Sequence, residues 1–146
     1  MEASQGEQHM SLKRDHLQPD DVHVRVRDGH VMFSNVIAVE GARRFIYVAG
    51  QVSRDVDGKI VGKGDMRVQI DQVCKNIEKC LVAAGASLND VVETTTYATN
   101  LNEFFKHVDV RSKYFEAAMP TSTTVEVSGL AGDDFMVEIT ARALVG

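Results

Sequence analysis

Hydrophobic and polar residues alternate in several parts of the chain, which is the pattern of β-strands that bury one face. The clearest case is residues 135–143, where apolar positions 137, 139, 141 and 143 alternate with positions 136, 138, 140 and 142. Glu138 lies in the middle of this segment. Such a carboxylate either faces solvent, pairs with a charge on a neighbouring strand, or is held rigidly at the wall of a cleft.

Further segments predict the remaining strands and two helices. Strands are expected at 22–27, 31–39, 44–49, 91–99 and 123–127, with a hairpin turn at Asp28-Gly29. Asp65 is a suitable N-cap for a helix whose apolar positions recur every three or four residues, and Gly85 ends that helix. Asn102 caps a second helix, with Phe104, Val108, Arg111 and Phe115 on one face, before Pro120.

This order of elements predicts an α+β sandwich, in which one mixed sheet of five or six strands carries two helices on one face. Residues 44–49 are apolar on both faces of their strand, so the uncovered face of the sheet requires a partner, and a second copy of the chain would serve. Residues 1–20 are polar and aperiodic and are expected to form a mobile N-terminal extension, with a single domain at 21–146.

Composition excludes several classes of partner. The formal net charge is −5 and there is no run of basic residues, which argues against a nucleic-acid partner. No apolar run approaches the ~20 residues of a membrane span, and the N-terminus lacks the apolar core of a signal peptide, so we expect a cytoplasmic protein. Cys74 and Cys80 are six residues apart on the predicted helix, cannot bridge, and are expected to be buried or partly buried thiols. We expect no metal and no cofactor.

Three segments together resemble the RidA/YjgF/L-PSP family. PTSTTVEVSGLA at 120–131, followed by VEITA at 137–141, is similar to the C-terminal signature of that family. IYVAGQV at 46–52 and VETTTYATNLNEF at 92–104 resemble two further family segments, in the same order and at matching spacings. The resemblance implies a chorismate-mutase-like fold that assembles as a homotrimer, with a small-molecule ligand in each cleft between subunits.

The family resemblance also implies a chemistry. Members that carry a particular arginine hydrolyse imines and enamines derived from amino acids, with the arginine holding the substrate carboxylate and a glutamate orienting the attacking water. The glutamate matches Glu138, and the glycine beside the ligand matches Gly50. Asn102 lies in the matching segment before the second helix.

Several matched positions depart from the family pattern. Ser122 replaces the arginine, and Thr124, Ala49 and Val36 replace a cysteine, a serine and a tyrosine. With Thr123, Gly50 and Asn102, these are our candidate substrate-binding positions. Another arginine would have to enter the cleft to restore the cation, and the sequence favours none of Arg54, Arg111 and Arg142.

Three functions therefore remain open. The first is a hydrolase of imine-type or enamine-type metabolites, with a substrate range altered at Ser122. The second is a non-enzymatic trimer that binds a small metabolite or a protein. The third is an endoribonuclease of the L-PSP type, against which the acidic composition argues.

Overall fold

The fold combines a four-stranded sheet, two short ribbons and three helices. A computed structural model describes residues 11–146. The strands are β1 (Lys13–Leu17), β2 (Val26–Arg27), β3 (His30–Val31), β4 (Val36–Glu40), β5 (Arg44–Gln51), β6 (Val91–Ala98), β7 (Thr121–Glu126) and β8 (Val137–Val145). The helices are α1 (Met66–Ala83), α2 (Leu101–Lys106) and α3 (Val108–Phe115), and a 3₁₀ turn at Leu88–Asp90 precedes β6.

The main sheet has the strand order β5-β8-β6-β7. β8 pairs antiparallel with β5 and β6, and β6 pairs parallel with β7 through a connection that contains α2 and α3. The sheet is mixed, as predicted, but it has four strands rather than five or six. Within residues 11–146, β4 pairs with β1, and β2 pairs with β3, in two separate two-stranded ribbons. Neither ribbon joins the main sheet, and β5 remains at its edge.

The predicted N-terminal extension is wrong for part of its length, because Lys13–Leu17 forms β1. The guanidinium of Arg14 donates to the carbonyl of Leu144 at 2.6 Å and pairs with Asp90 at 3.2 Å. β1 is thus held by backbone pairing with β4 and by polar side chains, since His16 also hydrogen-bonds to Ser34 at 2.7 Å, and no apolar periodicity marks the strand in the sequence. Residues 1–10 lie outside the described residues.

Helix α1 covers one face of the sheet and supplies much of the core. The Asp65 carboxylate accepts from the backbone N–H of Val68 at 3.0 Å, and Gly85 has φ +74° after the last turn, which confirms both predicted ends. The stripe that α1 buries is fully enclosed: Met66, Ile70, Val73, Cys74, Ile77 and Leu81. Cys80 is exposed, contrary to expectation, because it lies on the opposite side of the helix.

The second predicted helix is two helices that break at His107, whose φ of −119° and ψ of 16° are not helical. Asn100 caps α2 by accepting from the backbone N–H of Glu103 at 3.0 Å. The predicted cap, Asn102, is instead an exposed residue in the first turn of α2. The buried face was predicted correctly, since Phe104, Val108, Arg111 and Phe115 are all buried.

The other face of the main sheet has no helix over it. Phe45 and Tyr47 of β5 lie on this open face with 61% and 71% of their surface exposed, and Val125 of β7 is 38% exposed. Residues 44–49 therefore carry apolar side chains on both faces of their strand, as expected. Among residues 11–146, no helix combines the length and apolarity that crossing a membrane requires.

Candidate functional site

The predicted site residues lie on opposite faces of the main sheet. In the ladder, Thr94 of β6 lies between Ser122 of β7 and Ala141 of β8, whereas Tyr97 pairs with Glu138. Thr94 and Ala141 are buried under the helices. Because side chains alternate between faces and Tyr97 is three positions from Thr94, Ser122 faces the helices and Glu138 faces the open side. Within one chain, the sheet separates them.

On the open face, Glu138 lies directly over Gly50. A Cβ added to Gly50 would lie 2.9 Å from Cδ of Glu138 and closer still to its Oε1, so only glycine leaves room for this carboxylate. Glu138 is half-buried and makes no hydrogen bond or ion pair with another residue of the described part. Its oxygens are therefore available to accept from a water or a ligand. Ala49 and Thr123 are exposed on the same side of their strands.

On the helix face, Ser122 and Thr124 line a cavity of about 210 Å³ together with Arg111. We call it the Arg111 cavity. Its wall is made by three phenylalanines, Met32 and Val108 on the apolar side, and by two further arginines, Arg25 and Arg27. No acidic residue lines it.

Arg111 reaches the sheet from α3 and is 5% exposed. Its Nη2 donates to the hydroxyl of Thr94 at 2.6 Å and to the hydroxyl of Ser122 at 3.3 Å. Its guanidinium carbon lies 5.0 Å from the ring centroid of Phe115. Nε is buried without a hydrogen-bond partner, and no carboxylate of the described residues pairs with this guanidinium. Arg111 of α3 thus contacts Ser122, the position at which the resemblance led us to expect an arginine.

The charge of Arg111 is not compensated nearby. Burial lowers the pKa of Arg111, but an arginine remains protonated in proteins at neutral pH. Cys74 lies close by, and burial raises the pKa of its thiol to about 12 even though the neighbouring Arg111 opposes that rise. The thiol is therefore neutral at pH 7 and supplies no negative charge. A buried cation without a counter-charge is costly, and it is the feature an anion would relieve.

The other two arginines considered from sequence are engaged elsewhere. Arg142 pairs with Glu93 at 3.6 Å and lies 5.4 Å from the ring centroid of Tyr47 on the open face. Arg54 lies over the ring of Phe135 at 4.7 Å. Of the three arginines, Arg111 is the one that contacts Ser122.

Two predicted positions do not join either group. Val36 begins β4 and is 40% exposed, and Asn102 is exposed on α2; neither lines the Arg111 cavity. Sequence reasoning missed Arg25 and Arg27 entirely. The available signal for Arg111 was its position on the apolar stripe of the second helix, where a cation is out of place unless it serves a site.

Comparison with known proteins places these features in a family. The model of the family described as Endoribonuclease L-PSP matches residues 29–145. A RutC family protein of Pyrococcus abyssi is 44% identical over 99 residues, which cover 68% of this chain and 77% of that protein. The 2-iminobutanoate/2-iminopropanoate deaminase of Mus musculus is 31% identical over 114 residues, which cover 78% of this chain and 82% of that protein.

Solved structures agree with the sequence comparison. A protein of unknown function from Yersinia pestis, YyfB of the conserved Rid family, superimposes with a TM-score of 0.75 at 29% identity and covers 90% of this chain and 98% of its own. Escherichia coli TdcF, solved with bound serine, has a TM-score of 0.64 at 26% identity and covers 83% of this chain and 91% of its own. The fold, the motif segments and the match over residues 29–145 agree, and this chain belongs to the RidA/YjgF/L-PSP family.

Proposed function

We propose that the protein is a homotrimeric hydrolase of imine-type or enamine-type metabolites, in which Arg111 takes the place of the family arginine. The observation that carries the proposal is the buried guanidinium of Arg111 at 3.3 Å from Ser122, with no counter-charge among the described residues. Ser122 removes the family cation from β7, and α3 returns a cation to the same place. Relatives named 2-iminobutanoate/2-iminopropanoate deaminase at 31% and 28% identity support the reaction class.

The proposed site is completed by a second copy of the chain. Arg111 and Glu138 lie on opposite faces of one sheet, so a single chain cannot present both to one small molecule. In the proposed trimer, the open face of one subunit packs so that Glu138 of the partner subunit approaches the Arg111 cavity. The exposed Phe45 and Tyr47 supply apolar surface for that interface.

The proposed reaction uses each of these groups in one role. Arg111 holds the substrate carboxylate through Nη1, since Nη2 is engaged by Thr94 and Ser122 and Nε is enclosed. Glu138 accepts a proton from water as the oxygen attacks the imine carbon, and it passes that proton to the imine nitrogen. The resulting carbinolamine then gives its hydroxyl proton to Glu138, which passes it to the departing nitrogen as the C–N bond breaks and the C=O bond forms, so that ammonia and a 2-oxo acid are released. Fixed positions of the anchor and the water supply much of the rate.

The alternative is a trimer that binds a metabolite without transforming it. The replacements at Thr124 and Ala49 favour it, because they change two positions of the family pocket. An endoribonuclease remains the less favoured function, because the three arginines are gathered at one cavity and the net charge of −5 gives no basic stripe for an RNA backbone.

The trimer is testable in solution. Gel filtration coupled to light scattering should give a mass of three times the 16.1 kDa chain. Placing a charge on the open face, as in Phe45→Asp, whose cross-strand neighbour is Leu144, should dissociate it, because a carboxylate that the interface buries without a partner is costly. The control is Val56→Asp, which adds the same charge at a side chain that is 99% exposed. A wild-type protein that elutes as a stable monomer at micromolar concentration would contradict the proposed site as well as the trimer.

The role of Glu138 is testable by two variants that act differently. Glu138→Gln should lower the rate of hydrolysis of 2-iminopropanoate, generated in situ by an amino-acid oxidase, by about 10²–10⁴-fold, the range for loss of a general base. Gly50→Ala should produce a similar loss, because its Cβ displaces the carboxylate. Gly129→Ala is the matched control, since nothing lies within 4 Å of a Cβ there. Undiminished hydrolysis in Glu138→Gln would exclude this carboxylate as the base.

Variants that move the cation from Arg111 of α3 to position 122 of β7 test the proposed replacement of the family arginine. Ser122→Arg alone should destabilise the protein and lower activity, because it brings a second guanidinium against Arg111 at a largely buried position. Combining it with Arg111→Met should restore stability and return the rate to within about tenfold of wild type, since the double variant keeps one cation at the site. Arg111→Met alone should raise the KM by 100-fold or more, as expected when ~2–5 kcal/mol of charged contact is lost. A single Ser122→Arg variant more active than wild type would show that Arg111 does not fill the role.

A further inference from the structure

The Arg111 cavity carries more positive charge than one carboxylate needs. Arg111 alone can serve as the anchor of a 2-imino acid or a 2-oxo acid. Arg25 and Arg27 are two residues apart, on the extended segment that ends in β2, and both line the cavity. Arg27 and Arg111 also line an adjoining depression, whose wall includes the acidic residues Asp28, Asp109 and Glu116; none of these three lines the Arg111 cavity itself.

Arg25 and Arg27 both keep side-chain donors that no other described residue uses. The guanidinium carbon of Arg25 lies 4.7 Å from the ring centroid of Phe105, a stacking contact that fixes its plane and leaves its N–H groups at the edge free. Arg27 is half-buried. Neither forms an ion pair or a side-chain hydrogen bond with another residue between 11 and 146. One exposed cation that stacks on a ring and one half-buried cation thus line the same cavity as the buried Arg111.

The cavity is large enough for an organic molecule with two acidic groups. Its volume is about 210 Å³, whereas a closed apolar cavity of about 150 Å³ accommodates benzene. A single inorganic ion would leave most of this space empty. The phenylalanines of the wall suit a short carbon skeleton between the charged ends.

We propose that the ligand of this cavity is a small dicarboxylate, with one carboxylate on Arg111 and the second on Arg25 and Arg27. This inference rests on the proposed function for the reaction, and it names the substrate class as imines that carry a second acidic group on the side chain. Arg111 with Ser122 and Thr94 recognises the carboxylate beside the reacting carbon. Arg25 and Arg27 select for the distal carboxylate.

Calorimetric titration tests the proposal without requiring turnover. The probes are 2-oxoglutarate, 2-oxobutanoate and inorganic phosphate, added to the wild-type protein at low and at moderate salt. We expect 2-oxoglutarate to bind at least tenfold more tightly than either of the others, with an affinity that weakens more steeply with salt because more charges pair. Equal affinities for the two oxo acids, or phosphate binding as tightly as 2-oxoglutarate, would overturn the assignment of a dicarboxylate.

Variants assign the two ends of the ligand. Arg25→Gln with Arg27→Gln should abolish the preference for 2-oxoglutarate and leave the affinity for 2-oxobutanoate within threefold. Arg111→Met should weaken both oxo acids by 100-fold or more and should raise the melting temperature of the unliganded protein, since it removes an uncompensated buried charge. Lys79→Gln, which removes a charge from an exposed position of α1, should change neither affinity. A double arginine variant that keeps the full preference would overturn the proposed roles.

The same titrations separate this inference from the hydrolase proposal. Glu138→Gln should retain the preference for 2-oxoglutarate, because the proposed role of the Glu138 carboxylate is to activate the water and not to bind either carboxylate of the ligand. A clear preference without hydrolysis of any imine would overturn the hydrolase and leave the dicarboxylate site in place. Hydrolysis of 2-iminopropanoate without any preference for a second carboxylate would overturn the dicarboxylate site and leave the hydrolase proposal in place.

Discussion

The buried guanidinium of Arg111, which has no counter-charge among the described residues, is the interaction on which the proposed chemistry depends. It lies on α3 between the ring of Phe115 and the hydroxyls of Thr94 and Ser122, with 5% of its surface exposed. Two neutral hydroxyls satisfy one nitrogen but do not neutralise the charge. A fold does not retain such a group for stability, because an apolar side chain of similar size would cost less there. An anionic ligand, as we propose, would supply the missing counter-charge.

The main sheet is the second constraint, because it divides the functional residues into two sets. Alternation along β6, β7 and β8 places Ser122 and Thr124 under the helices and Glu138 on the open side. Gly50 then decides where the carboxylate can rest, since any side chain at that position would occupy its space. The helix face holds the cations and the open face holds the carboxylate, so the proposed assembly and the proposed chemistry depend on the same surface. The exposed Phe45 and Tyr47 belong to that surface.

The sequence predicts the regular elements well where periodicity is strong. The apolar stripe from Met66 to Leu81 and the alternation in β8 were sufficient to place α1 and the last strand. β1 was missed because Arg14 and backbone pairing hold it, and neither leaves a periodic trace. The break at His107 was missed because the apolar spacing continues across it, from Phe104 to Val108. Pairing partners of β4 depend on long-range geometry that local pattern does not contain.

The site could be predicted only in part, because a family resemblance matches positions along the sequence but does not show which side chains lie next to one another in the fold. Glu138 and Gly50 were found by position, and their mutual contact agrees with a shared role. Ser122 was read as the loss of a cation, whereas the structure brings the guanidinium of Arg111 to the same place from another element. A replacement of this kind is visible only where two elements pack together. The one sign of this replacement in the sequence is Arg111, a charged residue on the apolar face of the predicted second helix.

Moving a cation from a strand to a helix also changes which of its donors a ligand can use. Thr94 and Ser122 both accept from Nη2, so they fix the plane of the guanidinium and occupy that nitrogen. Nε is enclosed without a partner, and Nη1 makes no hydrogen bond to a described residue, so Nη1 is the donor that remains for an anion. Because Ser122 is small, the helix arginine can approach the sheet that closely; a long side chain at 122 would occupy the same space. In this chain, the small side chain at position 122 and the helix arginine therefore fit together.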